Sequence, residues 1–156
     1  MTDYIIRPVD ENDLPELLML IGEHADFEQA PFDPGPNKEK LRRALFDHPF
    51  KLNCWVVEQQ GKLTGYVSFT FDFSTWGASE FMYMDCLYLR EDSRGNGIGA
   101  AIIKKLYQVA QERNCINIQW QTPAFNEAAI RFYHKNNAVS KNKVRFNLTV
   151  IPDRMR

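Results

Sequence analysis

A chain of 156 residues, 44% hydrophobic and 25% charged, has the length and balance of one globular domain that builds its core without staples. Its net charge of -1 excludes the basic excess with which nucleic-acid binders hold phosphate, and its uncharged apolar runs are too short to span a bilayer. Met1-Thr2-Asp3-Tyr4 carries an acid where an export signal carries positive charge, so no such signal is expected.

The first segment, Tyr4 to Pro8, predicts a short strand stopped by proline. Asp10 then reads as a helix cap, with Asp13 three residues on, Pro15 in the first turn, and Leu14, Leu17, Leu18 and Ile21 at helical spacing. A loop rich in proline and acid runs from Phe27 to Pro36. A second helix is expected from Asn37 to Phe46, with Leu41, Ala44 and Leu45 on one side. Leu52 to Glu58 and Leu63 to Phe71 read as two strands joined at Gln60-Gly61. After a break at Trp76-Gly77, Phe81 to Leu89 has Asp85 as its one charged residue. Such a run predicts a central strand covered on both faces, in which an acid is conspicuous. A helix follows from Gly97 to about Arg113, then a strand over Cys115 to Gln121, a helix over Asn126 to Asn136, and a closing strand over Val144 to Val150. The order β-α-α-β-β-β-α-β-α-β predicts an α+β fold with one strand–helix–strand unit near its middle.

Cys54, Cys86 and Cys115 are odd in number and widely spaced. They read as free, partly buried thiols of a reducing, cytoplasmic setting. None stands at metal-ligand spacing to another cysteine or to His24, His48 or His134, so no metal is expected.

The chemistry concentrates at Arg94-Gly95-Asn96-Gly97-Ile98-Gly99, between the apolar strand and an amphipathic helix. Three alternate glycines clear side chains from backbone N–H groups at the positive end of a helix, and Arg94 adds a charge at the same mouth. This suits a pyrophosphate. The spacing is wrong for the dinucleotide G-x-G-x-x-G, and the Lys of a P-loop is missing. By itself the triplet reads first as a flexible turn at a helix start.

These residues match the R/Q-x-x-G-x-G/A signature of the GNAT acetyltransferases, and much of the chain resembles the diamine (spermidine/spermine) branch. Ile21 to Glu28, Phe69-Thr70-Phe71-Asp72 before Trp76, and Asn126-Glu127-x-x-Ile130-x-Phe132-Tyr133 fall in register with it. The resemblance implies the GNAT fold, a mixed sheet whose fourth and fifth strands splay apart around pantetheine. It also implies acetyl-CoA as donor, a small primary amine as acceptor, and a homodimer. The donor would take backbone groups of Cys86, Leu87 and Tyr88, the loop from Arg94 through Ala100, and Asn126, Glu127 and Ala129.

Tyr133 stands where the family places the acid that protonates the departing thiolate; otherwise it is a packing tyrosine on an amphipathic helix. Asn126 fits both a helix cap and a donor contact. Asp85 is a candidate base for the amine or a structural ion pair, and Cys86, with no His near it in sequence, is a poor nucleophile. On the acceptor side the candidates are Phe27, Glu28, Trp76, Asp85, Gln119 and Gln121, with Asp72 and Glu80 less firmly. The diamine branch carries Glu-Asp where this chain reads Met84-Asp85, so one polyamine-gripping charge is missing, and a diamine, a lysine analogue or an amino acid stands beside a polyamine as acceptor. Acetylation of a protein or peptide amine, or a non-catalytic CoA-binding regulatory domain, are the other readings.

Overall fold

The computed structural model describes residues 3–151, which leaves the Met1-Thr2 start outside the described residues. By internal packing the chain divides into two units, before and after the Pro123–Ala124 bond. In the first, five strands lie in sequence order: β1 (Ile5–Pro8), β2 (Asn53–Gln59), β3 (Lys62–Ser74), β4 (Ser79–Leu89) and β5 (Ile118–Gln119). Neighbours are antiparallel except β4 and β5, which are parallel and joined by helix α3 (Ile98–Glu112). The mixed α+β sheet expected from the sequence is therefore present. The β2–β3 hairpin closes through Gln60 (φ 50°) and Gly61 (φ 75°), the pair of left-handed residues a tight two-residue turn requires.

Helices α1 (Leu14–Phe27) and α2 (Pro34–Phe46) cover one face of the sheet. Leu14, Leu17 and Leu20 of α1 and Leu45 of α2 form a buried cluster with Cys54, Val56, Leu63 and Tyr66. The alternate strand residues Trp55, Val57 and Val67 are buried on the opposite face, where Lys105 of α3 lies over the Trp55 ring at 5.3 Å. Ile98, Ile102, Leu106 and Ala110 give α3 a buried stripe at four-residue spacing. Polar bonds fix how α1 sits. Asp10 caps a 3-10 turn over Glu11–Asp13, Arg7 pairs with Asp13 (2.7 Å) and Glu58 (2.9 Å), and Glu16 accepts from the Leu63 N–H at 3.0 Å.

Several expectations need correction. Helix α2 begins at Pro34 rather than Asn37, because Asp33 caps it and proline is well suited to a first turn whose N–H groups have no helical partner. Strand β5 shrinks from Cys115–Gln121 to two residues, for a reason that matters to the site. Residues 144–150 belong to no ladder among the described residues, and Val144, Phe146, Leu148 and Val150 are exposed. Alternating apolar residues define the faces of a strand but cannot supply the partner hydrogen bonds that make one.

The second unit contains α4 (Glu127–Lys135). Asn126 caps it by accepting from the Ala129 N–H at 3.3 Å. Its C-terminus closes with Asn137 at φ 71° and the Ala138 N–H on the Tyr133 carbonyl at 3.1 Å.

Two glycines should respond oppositely to alanine. At Gly65 an added methyl would lie 2.4 Å from Leu89 Cδ2 and 2.7 Å from the Tyr88 carbonyl oxygen, between packed strands. At Gly22, inside α1, it would meet nothing within 4 Å. Urea denaturation should show Gly65→Ala losing about 1–3 kcal/mol and Gly22→Ala gaining roughly 0.5–1 kcal/mol. Equal stabilities for the two variants would contradict the close approach of β3 to β4.

Candidate active site

Strand β4 changes character halfway along. Its first half pairs with β3 on one edge and, at Met82 and Tyr83, with Ile118 and Gln119 of β5 on the other. The parallel ladder goes no further among the described residues, so from Asp85 onward the β4 edge is not paired with β5. At the same point the β3–β4 register slips. Ser68 stands opposite Cys86 and Phe69 opposite Met84, which leaves Asp85 as the extra residue of a β-bulge. The bulge explains the conspicuous acid. Asp85 is exposed, whereas Met84 beside it is buried. The strand is thus not covered on both faces at this residue, as its apolar run had suggested.

On the α1–α2 face the bulge borders a small cleft of about 110 Å³, open to solvent. Its floor is a row in register across three strands, Cys54, Ser68 and Cys86, beside Tyr66. Leu17 and Ile21 of α1, Leu41 and Leu45 of α2, Phe32 and Leu52 form the walls, and Asp85 is the one carboxylate among the lining residues.

Under α1 a polar chain backs this floor. His24 bonds Tyr66 Oη through Nδ1 (2.7 Å) and Glu28 through Nε2, and its ring stacks on Tyr88 at 5.2 Å. A carboxylate only accepts, so Nε2 carries the proton given to Glu28, and in the neutral ring Nδ1 accepts from the Tyr66 hydroxyl. Burial, then the nearby Cys86, pushes the Tyr66 hydroxyl far above its ordinary range. Burial, then Asp85, pushes the Cys86 thiol up to about 11, and burial pushes Cys54 up to about 12. The Cys86 Sγ–H donates to Asp85 Oδ2 at 3.6 Å. A thiol so held is a poor nucleophile, in line with the sequence reading.

The glycine loop follows β4 through a 3-10 turn over Glu91–Ser93. That turn is anchored by buried Ser93, which donates to Gln59 Oε1 at 2.8 Å. Gly95 (φ 81°) and Gly97 (φ 78°) both occupy the left-handed region where a side chain would strain the backbone, so here the glycines are required by conformation. Gly97 is the N-cap of α3 and makes no side-chain capping bond, which leaves the first-turn N–H groups of Ile98, Gly99 and Ala100 to an outside acceptor. Arg94 donates to the Leu89 carbonyl (2.8 Å) and lies over the rings of Phe27 (5.3 Å) and Tyr88 (5.7 Å). The donor set fits a pyrophosphate: uncapped amides at a helix start and an exposed guanidinium beside them.

The other expected residues scatter. Phe27 stands against Arg94 and Glu28 against His24, and neither lines the cleft. Glu80 is held by Arg113, which keeps its carboxyl below the usual range. Asp72 is exposed on β3, and Trp76 is exposed at the β3–β4 turn. Gln121 donates to Tyr83 Oη at 3.1 Å, and Gln119 to Asn117 at 3.1 Å. In the second unit, Glu127 opens α4 and Tyr133 packs beside Phe132, ring centres 5.4 Å apart. Sequence reading missed His24 and Tyr66. The signal for His24 was present, an ionisable residue four positions after Leu20 on the buried stripe of α1.

The sequence profile of the acetyltransferase (GNAT) family matches residues 18–138. The chain belongs to this GNAT family. With the family comes the enzyme class, an N-acetyltransferase. The thialysine N-epsilon-acetyltransferase of Sus scrofa is 30% identical over 142 residues, 85% of this chain and 82% of the relative. The spermidine/spermine N(1)-acetyltransferase-like protein 1 of Homo sapiens is 32% identical over 88% of this chain, which spans 21% of that longer protein. The crystal structure of an aminoglycoside acetyltransferase from an uncultured soil metagenomic sample shares the fold, with a TM-score of 0.79 at 20% identity over 95% of this chain and 97% of that one.

The raised thiols make this acetyltransferase's cysteine chemistry testable. A thiol at about 11 is ionised to roughly one part in a thousand at pH 8. Iodoacetamide labelling followed by peptide mass spectrometry should modify the less buried Cys115 first, Cys86 later and Cys54 last. The Cys86 rate should still be rising at pH 10. Labelling of Cys86 first at pH 7 would mean a stabilised thiolate and would revive the nucleophile reading.

Proposed function

We propose that this GNAT enzyme transfers the acetyl group of acetyl-CoA to the primary amine of a small molecule, with donor and acceptor bound together. The observation that carries this reading is the position of Asp85. It lines the cleft and stands where the β4 edge begins to run free of β5. An amine in the cleft and a thioester along that edge would therefore meet at one carboxylate. Similarity to the thialysine and spermidine/spermine-type enzymes supports a small amine as acceptor.

Acetyl-CoA, when bound, supplies an acyl carbon activated as a thioester. Backbone groups of Cys86, Leu87 and Tyr88 would hold the pantetheine, and Gly95 to Ala100 with Arg94 the pyrophosphate. Asn126, Glu127 and Ala129 are further donor contacts, assigned by the family pattern.

An alkylammonium with a pKa of about 10.4 is nucleophilic to roughly one part in a thousand at neutral pH. Asp85, directly or through water, takes one ammonium proton to free the nitrogen lone pair, and a second proton leaves nitrogen for solvent once the N–C bond has formed. Tyr133, assigned from the Asn126…Phe132-Tyr133 pattern, gives its hydroxyl proton to the sulfur as the C–S bond breaks. The ammonium gives up two protons and the departing thiolate takes one through Tyr133, so acetyl transfer releases one net proton. The reading includes one domain, supported by a family match that crosses the Pro123–Ala124 division. It also includes a homodimer, by resemblance, and a cytoplasmic setting, supported by three free cysteines.

The test is release of free thiol from acetyl-CoA in the presence of primary amines. Tyr133→Phe should lower kcat by about 100-fold, with KM for acetyl-CoA within a few-fold of wild type. Acetyl-CoA binding without thiol release for any amine would overturn the reading in favour of a regulatory CoA-binding domain.

A further inference from the structure

The acceptor cleft offers one anion and an otherwise apolar surface, and that contrast narrows the substrate. Its walls are Leu17, Ile21, Phe32, Leu41, Leu45 and Leu52, and Asp85 is the one carboxylate that lines it. Three other acids on α1 and β4 are engaged in ion pairs. Glu28 is paired with His24, Glu23 with Arg90 at 2.8 Å, and Glu80 with Arg113. The floor adds no charge either. Burial keeps the Cys54 and Cys86 thiols neutral, and the Tyr66 hydroxyl is bonded to His24.

Resting on the acetyl-transfer reading, we propose that the acceptor is a primary monoamine with an apolar alkyl or aryl body. Its ammonium pairs with Asp85 and its body lies along the leucine and isoleucine walls. A second ammonium held along these walls would exchange water for a surface without a partner charge, which is unfavourable. A methyl group in its place gains from burial. The device that discriminates is therefore the absence of a second anion among the lining residues, in addition to the attraction of the first.

The test compares two acceptors of equal length, hexylamine and 1,6-diaminohexane, by thiol release from acetyl-CoA with the wild-type enzyme. Hexylamine should show kcat/KM at least about tenfold above the diamine. A diamine rate equal to or above that of hexylamine overturns the monoamine proposal while leaving acetyl transfer standing. Thiol release with neither, nor with any other primary amine, overturns acetyl transfer and this inference together. A second arm uses Leu41→Glu, a half-buried wall position on α2. With the fold verified by circular dichroism, the variant should shift the ratio toward the diamine by about two- to fivefold. An unchanged ratio in the folded variant would show that this cleft is not where the amine body lies.

Discussion

Strand β4 leaves its parallel neighbour after two paired residues, and the site depends on that departure. A strand that parts from its neighbour inside a sheet exposes a row of backbone donors and acceptors that must be satisfied by water or by a ligand. The β-bulge at Asp85 falls at the same point, turns an acid out of an apolar strand and sets it at the cleft. The glycine loop then begins where β4 ends, so an extended ligand following the free edge would arrive at the start of α3. Edge, bulge and loop are consecutive in sequence, which is why fourteen residues, Asp85 to Ile98, carry so much of the proposed chemistry.

Electrostatics completes the arrangement by removing competitors. Arginines hold Glu23 and Glu80 below the ordinary carboxylate range, and His24 occupies Glu28. Burial raises Cys54, Cys86 and Tyr66, so each stays protonated at neutral pH. The sheet floor is thus polarizable but uncharged, and Asp85 is the cleft's charged group. A cleft with one charge suits an amine with one charge.

Much of this was legible in the sequence. The glycine loop was visible because the triplet sits between an apolar strand and an amphipathic stripe and matches a family signature, and the left-handed angles at Gly95 and Gly97 give the physical reason for two of the glycines. Asp85 was visible as an anomaly, but its cause was not. A bulge is a mismatch between two strands, and Phe81–Leu89 read alone cannot show that Ser68 and Phe69 slip against it. The shortness of β5 was hidden for the same reason, since an apolar run cannot reveal that its partner turns away. Residues 144–150 failed in the opposite sense, with alternation present and no pairing among the described residues. The cleft walls come from four separated segments, so Phe32, Leu41 and Leu52 carried no individual signal.

Amide hydrogen exchange with and without acetyl-CoA tests most directly whether the free β4 edge and the α3 start form the donor site. The account predicts slowed exchange on binding at Asp85 to Leu89 and at Asn96 to Ala101, with β1 and β2 unchanged. Tight binding that leaves both segments unprotected, or protects mainly the β1–β2 rim, would contradict it.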